Sequence, residues 1–113
     1  MQTKAQSGKE GEEKAVLYLK QKGWEILVQN YRYKRGELDI VGLDKGVLVF
    51  VEVKFRKNNN FGYPEDFVGD HKIAMVRKTA MNYLRVKNWQ KDIRFDIISI
   101  TGNESPEHFE DAF

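Results

Sequence analysis

Gly36-Glu37-Leu38-Asp39-Ile40-Val41 and Leu48-Val49-Phe50-Val51-Glu52-Val53-Lys54 decide how this chain is read. The second stretch is the most apolar run in the sequence, rich in β-branched residues and bounded by Gly46 and Arg56-Lys57-Asn58. Such a run predicts a strand covered on both faces. Yet Glu52 and Lys54 stand at its far end, at i and i+2, and so project from one face. Charges beside a core cost several kcal/mol unless they are paired or hold a cation. An acid and a base there demand an explanation.

Asp39 lies on the preceding strand, and register decides whether it joins them. The turn falls in Leu43-Asp44-Lys45-Gly46. A loop of two or four residues is expected to pair Asp39 opposite Phe50, on the face that carries Phe50, Glu52 and Lys54. A three-residue loop would set it opposite Val51, facing away, because a one-residue slip flips every side chain. A functional grouping therefore needs an even loop or a bulge at Gly42.

The 113 residues suit a single domain, 1–113, with one core. The absence of cysteine excludes disulfides and thiolate metal sites, and two histidines, His71 and His108, argue against a histidine-rich zinc site. The polar start Met1-Gln2-Thr3-Lys4 and the lack of a long apolar run point to a cytoplasmic chain without a membrane partner. Net charge is +2, but the last eleven residues carry four acids and no Lys or Arg. Residues 1–102 thus hold 19 basic against 13 acidic residues, a surplus that suits a polyanionic partner as well as an ordinary solvated surface.

Ser7-Gly8-Lys9-Glu10 matches a capping box, which predicts a helix from Ser7 to about Lys22, stopped by Gly23. Glu12, Ala15, Val16 and Leu19 share one stripe of that helix, and Glu12 occupies an apolar position. A first-turn Glu is also favoured by the helix dipole, so taken alone it carries two readings. Trp24 to Tyr33 predicts a strand with Ile26 and Val28 on one face and Leu27 and Tyr31 on the other. It ends in Tyr31-Arg32-Tyr33-Lys34-Arg35, cations interleaved with aromatics, a pattern that holds phosphates and stacks on bases, or simply snorkels at a strand end. Residues 56–69 form the longest irregular stretch. A second helix is expected from Asp70, as N-cap, to Lys87, burying Ile73, Val76, Ala80 and Leu84. Ile93 to Ile100 predicts an internal strand, and the tail from Gly102 a short helix packed back on the body. The order α-β-β-β-α-β implies an antiparallel meander and then a parallel strand reached through a helical crossover: an α/β fold with a mixed sheet flanked by helices.

This arrangement brings the acids Glu12, Asp39 and Glu52 to one end of the sheet. Close carboxylates repel and raise one another's pKa, and a hard divalent cation removes that penalty. Magnesium takes one or two protein carboxylates plus waters and phosphate oxygens. Lys54 could orient an attacking water or neutralise charge on a phosphate. No Ser/His/Asp or Cys/His set offers covalent catalysis.

Asp39, then Glu52-Val53-Lys54 on the next strand, with Glu12 on the preceding helix, resembles the PD-(D/E)xK nuclease superfamily. The element order matches its restriction-endonuclease-like αβββαβ core. Gly11-Glu12, Tyr18-Leu19, Asn30-Tyr31-Arg32, Gly36-Glu37-Leu38-Asp39-Ile40, Leu48 to Lys54, Phe61-Gly62, Arg94-Phe95-Asp96 and Ala112-Phe113 look like the bacterial YraN family across nearly the whole chain. The chain is also similar to Holliday-junction resolvases. The resemblance implies a nuclease-like protein with Glu12, Asp39 and Glu52 as ligands of Mg²⁺, or of Mn²⁺ in its place, and Lys54 as the catalytic lysine. Leu38 departs from the proline often found before the aspartate. Glu37 is expected to pair with Arg32 or Arg35. Arg32, Lys34, Arg35, Arg56 and Lys57 would hold the nucleic-acid backbone, DNA rather than RNA, and Lys72 would touch a phosphate or stay an ordinary surface lysine. A duplex cutter of this size calls for a homodimer. The rival expectations are a nucleic-acid-binding module that does not cleave, and an interaction scaffold whose acids form a buried ion-pair network.

Overall fold

A computed structural model describes residues 4–56, 69–102 and 105–113, with side chains from residue 9 onward. The elements run α1 (Lys4–Gln21), β1 (Glu25–Tyr33), β2 (Gly36–Asp44), β3 (Val47–Arg56), α2 (Asp70–Lys87), β4 (Ile93–Thr101) and β5 (Glu107–Phe109). The strands form one sheet in the order β1-β2-β3-β4-β5. The first three pair antiparallel, β3 and β4 pair parallel, and β5 returns antiparallel along β4. The αβββαβ order and mixed sheet read from the sequence are therefore present, with one extra edge strand.

One helix covers each face. Ala15, Val16 and Leu19 of α1 pack with Trp24, Ile40, Val49, Val51, Ile98 and Ile100. Val76, Ala80 and Tyr83 of α2 pack with Leu38, Val41, Leu48 and Phe50. β3 thus feeds both layers, which is why its apolar run does not alternate. Phe50 is fully buried, with its ring against Phe95 and edge-on to Tyr83. Burying a side chain of that size contributes roughly 1.5–3 kcal/mol. No described helix is long and apolar enough to cross a membrane.

Several local expectations change. α1 begins at Lys4, so Ser7 lies inside it and is not its cap; Lys, Ala and Gln are good helix formers and extend the element upstream. It ends at Gln21, one residue before the expected end, with Gly23 in the left-handed region (φ 93°). The Gly23 N–H donates to the Lys20 carbonyl and the Trp24 N–H to the Leu19 carbonyl, both at 3.0 Å, a Schellman closure. Asp70 is the first helical residue of α2, behind Gly69 at the cap. Thr79 and Tyr83 join Val76 and Ala80 on the buried stripe, while Ile73 and Leu84 are half-buried. The tail forms β5 and not a helix, because the outer edge of β4 offers unpaired backbone groups that a strand satisfies. Residues 57–68, most of the expected irregular stretch, lie outside the described residues.

The hairpins set the register. Lys45 and Gly46 form a two-residue turn, both with positive φ (51° and 87°), the geometry that matches strand twist. β1 carries a bulge between Ile26 and Val28, where two steps on β1 face one on β2. Consequently Ile26 packs on the α1 side and Val28 on the α2 side, not on the shared face expected from alternation. A second break falls at Asn30, whose φ is 55°. Val28 and Tyr31 both reach the α2 cluster although three apart, as do their partners Val41 and Leu38.

Candidate active site

The ladder between β2 and β3 runs from Asp44↔Val47 to Ile40↔Val51 and stops. β2 continues against β1 to Gly36↔Tyr33, and β3 continues against β4 to Arg56↔Thr101. The sheet therefore splits beyond Ile40 and Val51, and the split holds Asp39 and Glu52. With the two-residue turn, Asp39 and Glu52 are the first positions past the last pair, two further along β3 than the Phe50 expected from the sequence. Two carboxylates satisfy the backbone donors that the split releases. The Val53 N–H donates to Asp39 Oδ2 at 2.8 Å, and the Asp39 N–H donates to Glu52 Oε2 at 3.3 Å.

Glu52 is 1% exposed. Its Oε1 lies 3.2 Å from the Lys72 ammonium in an ion pair, and no second partner reaches that oxygen among the described residues. Burial, reinforced by the charge of Asp39, pushes the Glu52 carboxyl up to about 7, although Lys72 and the Asp39 N–H pull it back. Asp39 is also raised, first by burial, with the Val53 N–H, Lys72 and Lys54 opposing and Glu37 assisting. The pair is thus short of positive charge.

Glu12, half-exposed on α1, is raised by burial and by the charge of Asp39, while a hydrogen bond with the Asn30 side chain lowers it. It stands within electrostatic reach of the pair. No three acid or histidine side chains converge on a ready metal position among the described residues. Lys54 is half-buried, shares the face of Glu52, and pairs across β3 and β4 with Ser99, whose buried hydroxyl has no described hydrogen-bond partner.

Lys72 is the residue that sequence reasoning placed least well. It comes from the first turn of α2 and forms an ion pair with Glu52. Burial lowers its pKa, but the charge and hydrogen bonding of Glu52 outweigh that and hold it above the usual lysine value. The topology carried a signal for this: a helix joining two parallel strands starts beside the end of the first, so a cation in its opening turn meets Glu52. Asn30 and Ser99 were also missed, and nothing in their local pattern marks them. Among the expected phosphate contacts, Arg32 lies 3.8 Å from Glu37 in an exposed pair, Lys34 and Arg35 form the tip of the β1–β2 hairpin, and Arg56 ends β3. Lys57 lies outside the described residues.

The sequence profile of the family described as "Uncharacterised protein family UPF0102" matches residues 11–100, a span that runs from within α1 to the penultimate residue of β4 and includes Glu12, Asp39, Glu52 and Lys54. The chain belongs to the UPF0102 family. This is the YraN family that the sequence resembles. A UPF0102 protein of Cytophaga hutchinsonii is 42% identical over 107 residues, covering 95% of each chain. One from a Sulfurihydrogenibium species is 45% identical, covering 97% of this chain and 96% of its own. Another, from Persephonella marina, is 44% identical over 94% of this chain and 91% of its own.

The site's chemistry can be tested against a hard cation. Two carboxylates raised by burial, Glu52 also by the charge of Asp39, with one lysine against the buried Glu52 Oε1 among the described residues, are a donor set that a divalent ion stabilises. Magnesium needs only one or two protein carboxylates, so the Asp39–Glu52 pair fits without a third ligand.

Proposed function

We propose that this UPF0102 protein is a magnesium-dependent phosphodiesterase acting on structured or branched DNA. The observation that carries the reading is the buried Asp39–Glu52 pair in the sheet split, each carboxylate taking one backbone N–H, with Lys54 on the face of Glu52. Asp39 and Glu52 would hold the cation directly, and Glu12 would support it through its charge. A divalent ion there would supply charge neutralisation and acidify a water for attack on phosphorus. Lys54 keeps its ammonium beside the pair, where it can orient a nucleophile or offset charge on the phosphate. Arg32, Lys34, Arg35, Arg56 and Lys57 would grip flanking phosphates, and binding would fall with salt.

The test is a panel of single-stranded, duplex, flap and four-way-junction DNA, incubated with magnesium or chelator. Product is expected in magnesium alone, and Asp39→Ala or Lys54→Ala should abolish it. If Asp39→Ala protein cuts as well as wild type, the site assignment falls. The Lys72–Glu52 ion pair favours a second reading, a binding module in which the lysine already balances the acid. Salt-sensitive DNA binding without product under either magnesium or manganese would select it.

A further inference from the structure

The tip of the β1–β2 hairpin and the flank of α2 enclose a cleft of about 240 Å³, lined by Tyr33, Lys34, Arg35, Met75, Lys78 and Thr79. Three of the six are cations and none is an acid. Tyr33 and Met75 are half-buried and give it an aromatic and a thioether wall. The cleft is held shut at its base. A Cβ on Gly36 would overlap the Thr79 hydroxyl, so only glycine lets the hairpin sit this close to α2. Thr79 in turn donates to the Met75 carbonyl at 2.8 Å. Lys34 adopts φ 54° at a turn position that normally takes Gly, Asn or Asp, and its ammonium lies 5.3 Å from the centre of the Tyr33 ring. The tip is therefore shaped to set a cation beside an aromatic ring.

The cleft lies on the α2 side of the sheet, as does the Lys72–Glu52 ion pair. Gly36 is three residues from Asp39 along β2, or roughly 10 Å at strand rise. Met75 is three residues from Lys72 along α2, or roughly 4.5 Å at helical rise. A strand leaving the carboxylate pair along this seam reaches the cleft after about three stacked nucleotides at 3.4 Å each. The volume is below the roughly 300–1,000 Å³ of drug-sized pockets, which suits one flat ring.

We infer that this cleft seats a single unpaired base, with its phosphate on Lys34, Arg35 and Lys78, so that the protein selects DNA with an unpaired segment about three nucleotides from the Asp39–Glu52 pair. A paired base keeps its faces stacked in the duplex and cannot enter. The inference rests on nucleic acid being the ligand, as proposed above, and does not require cleavage.

Binding is measured in chelator, with a labelled single strand and a blunt duplex of the same sequence. Wild type is expected to prefer the single strand. Tyr33→Ala should weaken single-strand binding about tenfold and leave duplex binding unchanged, since base–aromatic stacking is of that size. Tyr33→Trp should retain it. Lys78→Ala, at an exposed position, should reduce the slope of log affinity against log salt by about 0.7 on the single strand. Equal loss on both DNAs in Tyr33→Ala, no loss on either, or an unchanged slope in Lys78→Ala overturns the inference. A protein that shows the Tyr33-dependent preference but never cuts sinks the nuclease reading and supports the cleft. One that cuts in magnesium without Tyr33 dependence does the reverse.

Discussion

Two buried acids on neighbouring strands have opposite fates. Asp96 of β4 points to the α1 side and is surrounded by donors. Arg94 Nε and Nη2 reach its two oxygens at 2.8 and 2.9 Å, the Asp111 N–H donates at 3.0 Å, and His108 Nε2 lies at 2.7 Å. Lys22, a donor only, sits 3.1 Å from His108 Nδ1, which assigns the ring proton to Nε2. Burial alone would raise Asp96, but the His108 and Arg94 hydrogen bonds and the Asp111 N–H hold it below the usual aspartate value. Glu52, on the α2 side, has among the described residues one 3.3 Å backbone donor and one lysine, and is pushed up. Burial acts on both in the same direction, and the supply of donors decides the sign. A saturated acid holds a fold together; an undersupplied one is fit to receive a cation or a proton.

The largest effect that would break this contrast is at Asp96. Asp96→Ala should cost about 3 kcal/mol in chemical denaturation, because buried His108 loses its carboxylate and Arg94 is left with Asp44 and the more exposed Glu110. A loss near zero would mean the cluster is not structural. In chelator the two acids should also give opposite pH slopes. Glu52 is raised in the folded state, so the native protein binds more protons, and stability should fall by about 3 kcal/mol as pH rises from 4.5 towards 7. Asp96 is depressed, so its contribution is complete above its ordinary 3.8 and is lost as pH falls through its lower folded value. Glu52→Gln should flatten the first slope and leave the second. Magnesium should stabilise wild type by about 2.7 kcal/mol at a hundredfold excess over its dissociation constant, and Glu52→Gln by much less. The smallest effect sharpens the comparison: Lys72→Met removes one of Glu52's two compensations, so the Glu52 titration followed by NMR should move upward. A downward move would show that Lys72 does not serve the pair.

Much of the site was legible before any coordinates. The apolar run Leu48–Lys54 called for a strand covered on both faces, which β3 is, and an even turn was the stated condition for Asp39 to join Glu52 and Lys54. The loop was open among two, three and four residues, so the face of Asp39 was left conditional, and the turn at Lys45-Gly46 moved its level two positions past Phe50. Glu12 stood out on the stripe of α1, and the structure sets it where it feels the charge of Asp39 and bonds the Asn30 side chain. The faces of Ile26 and Val28 were misread because a bulge leaves no mark in periodicity.

By itself, the sequence determined the elements from α1 to β4, their order, the two helix-covered faces and the three acids and one lysine worth watching, because hydrophobic period and turn chemistry are local. Only the tertiary structure decided that β2 and β3 part beyond Ile40 and Val51, that Lys72 meets Glu52, and that Asp96 is saturated. Those outcomes depend on donors brought from distant segments, from Arg94 to Asp111 on one face and from α2 on the other. A buried charge is settled by which donors reach it, and that is a property of the packed chain.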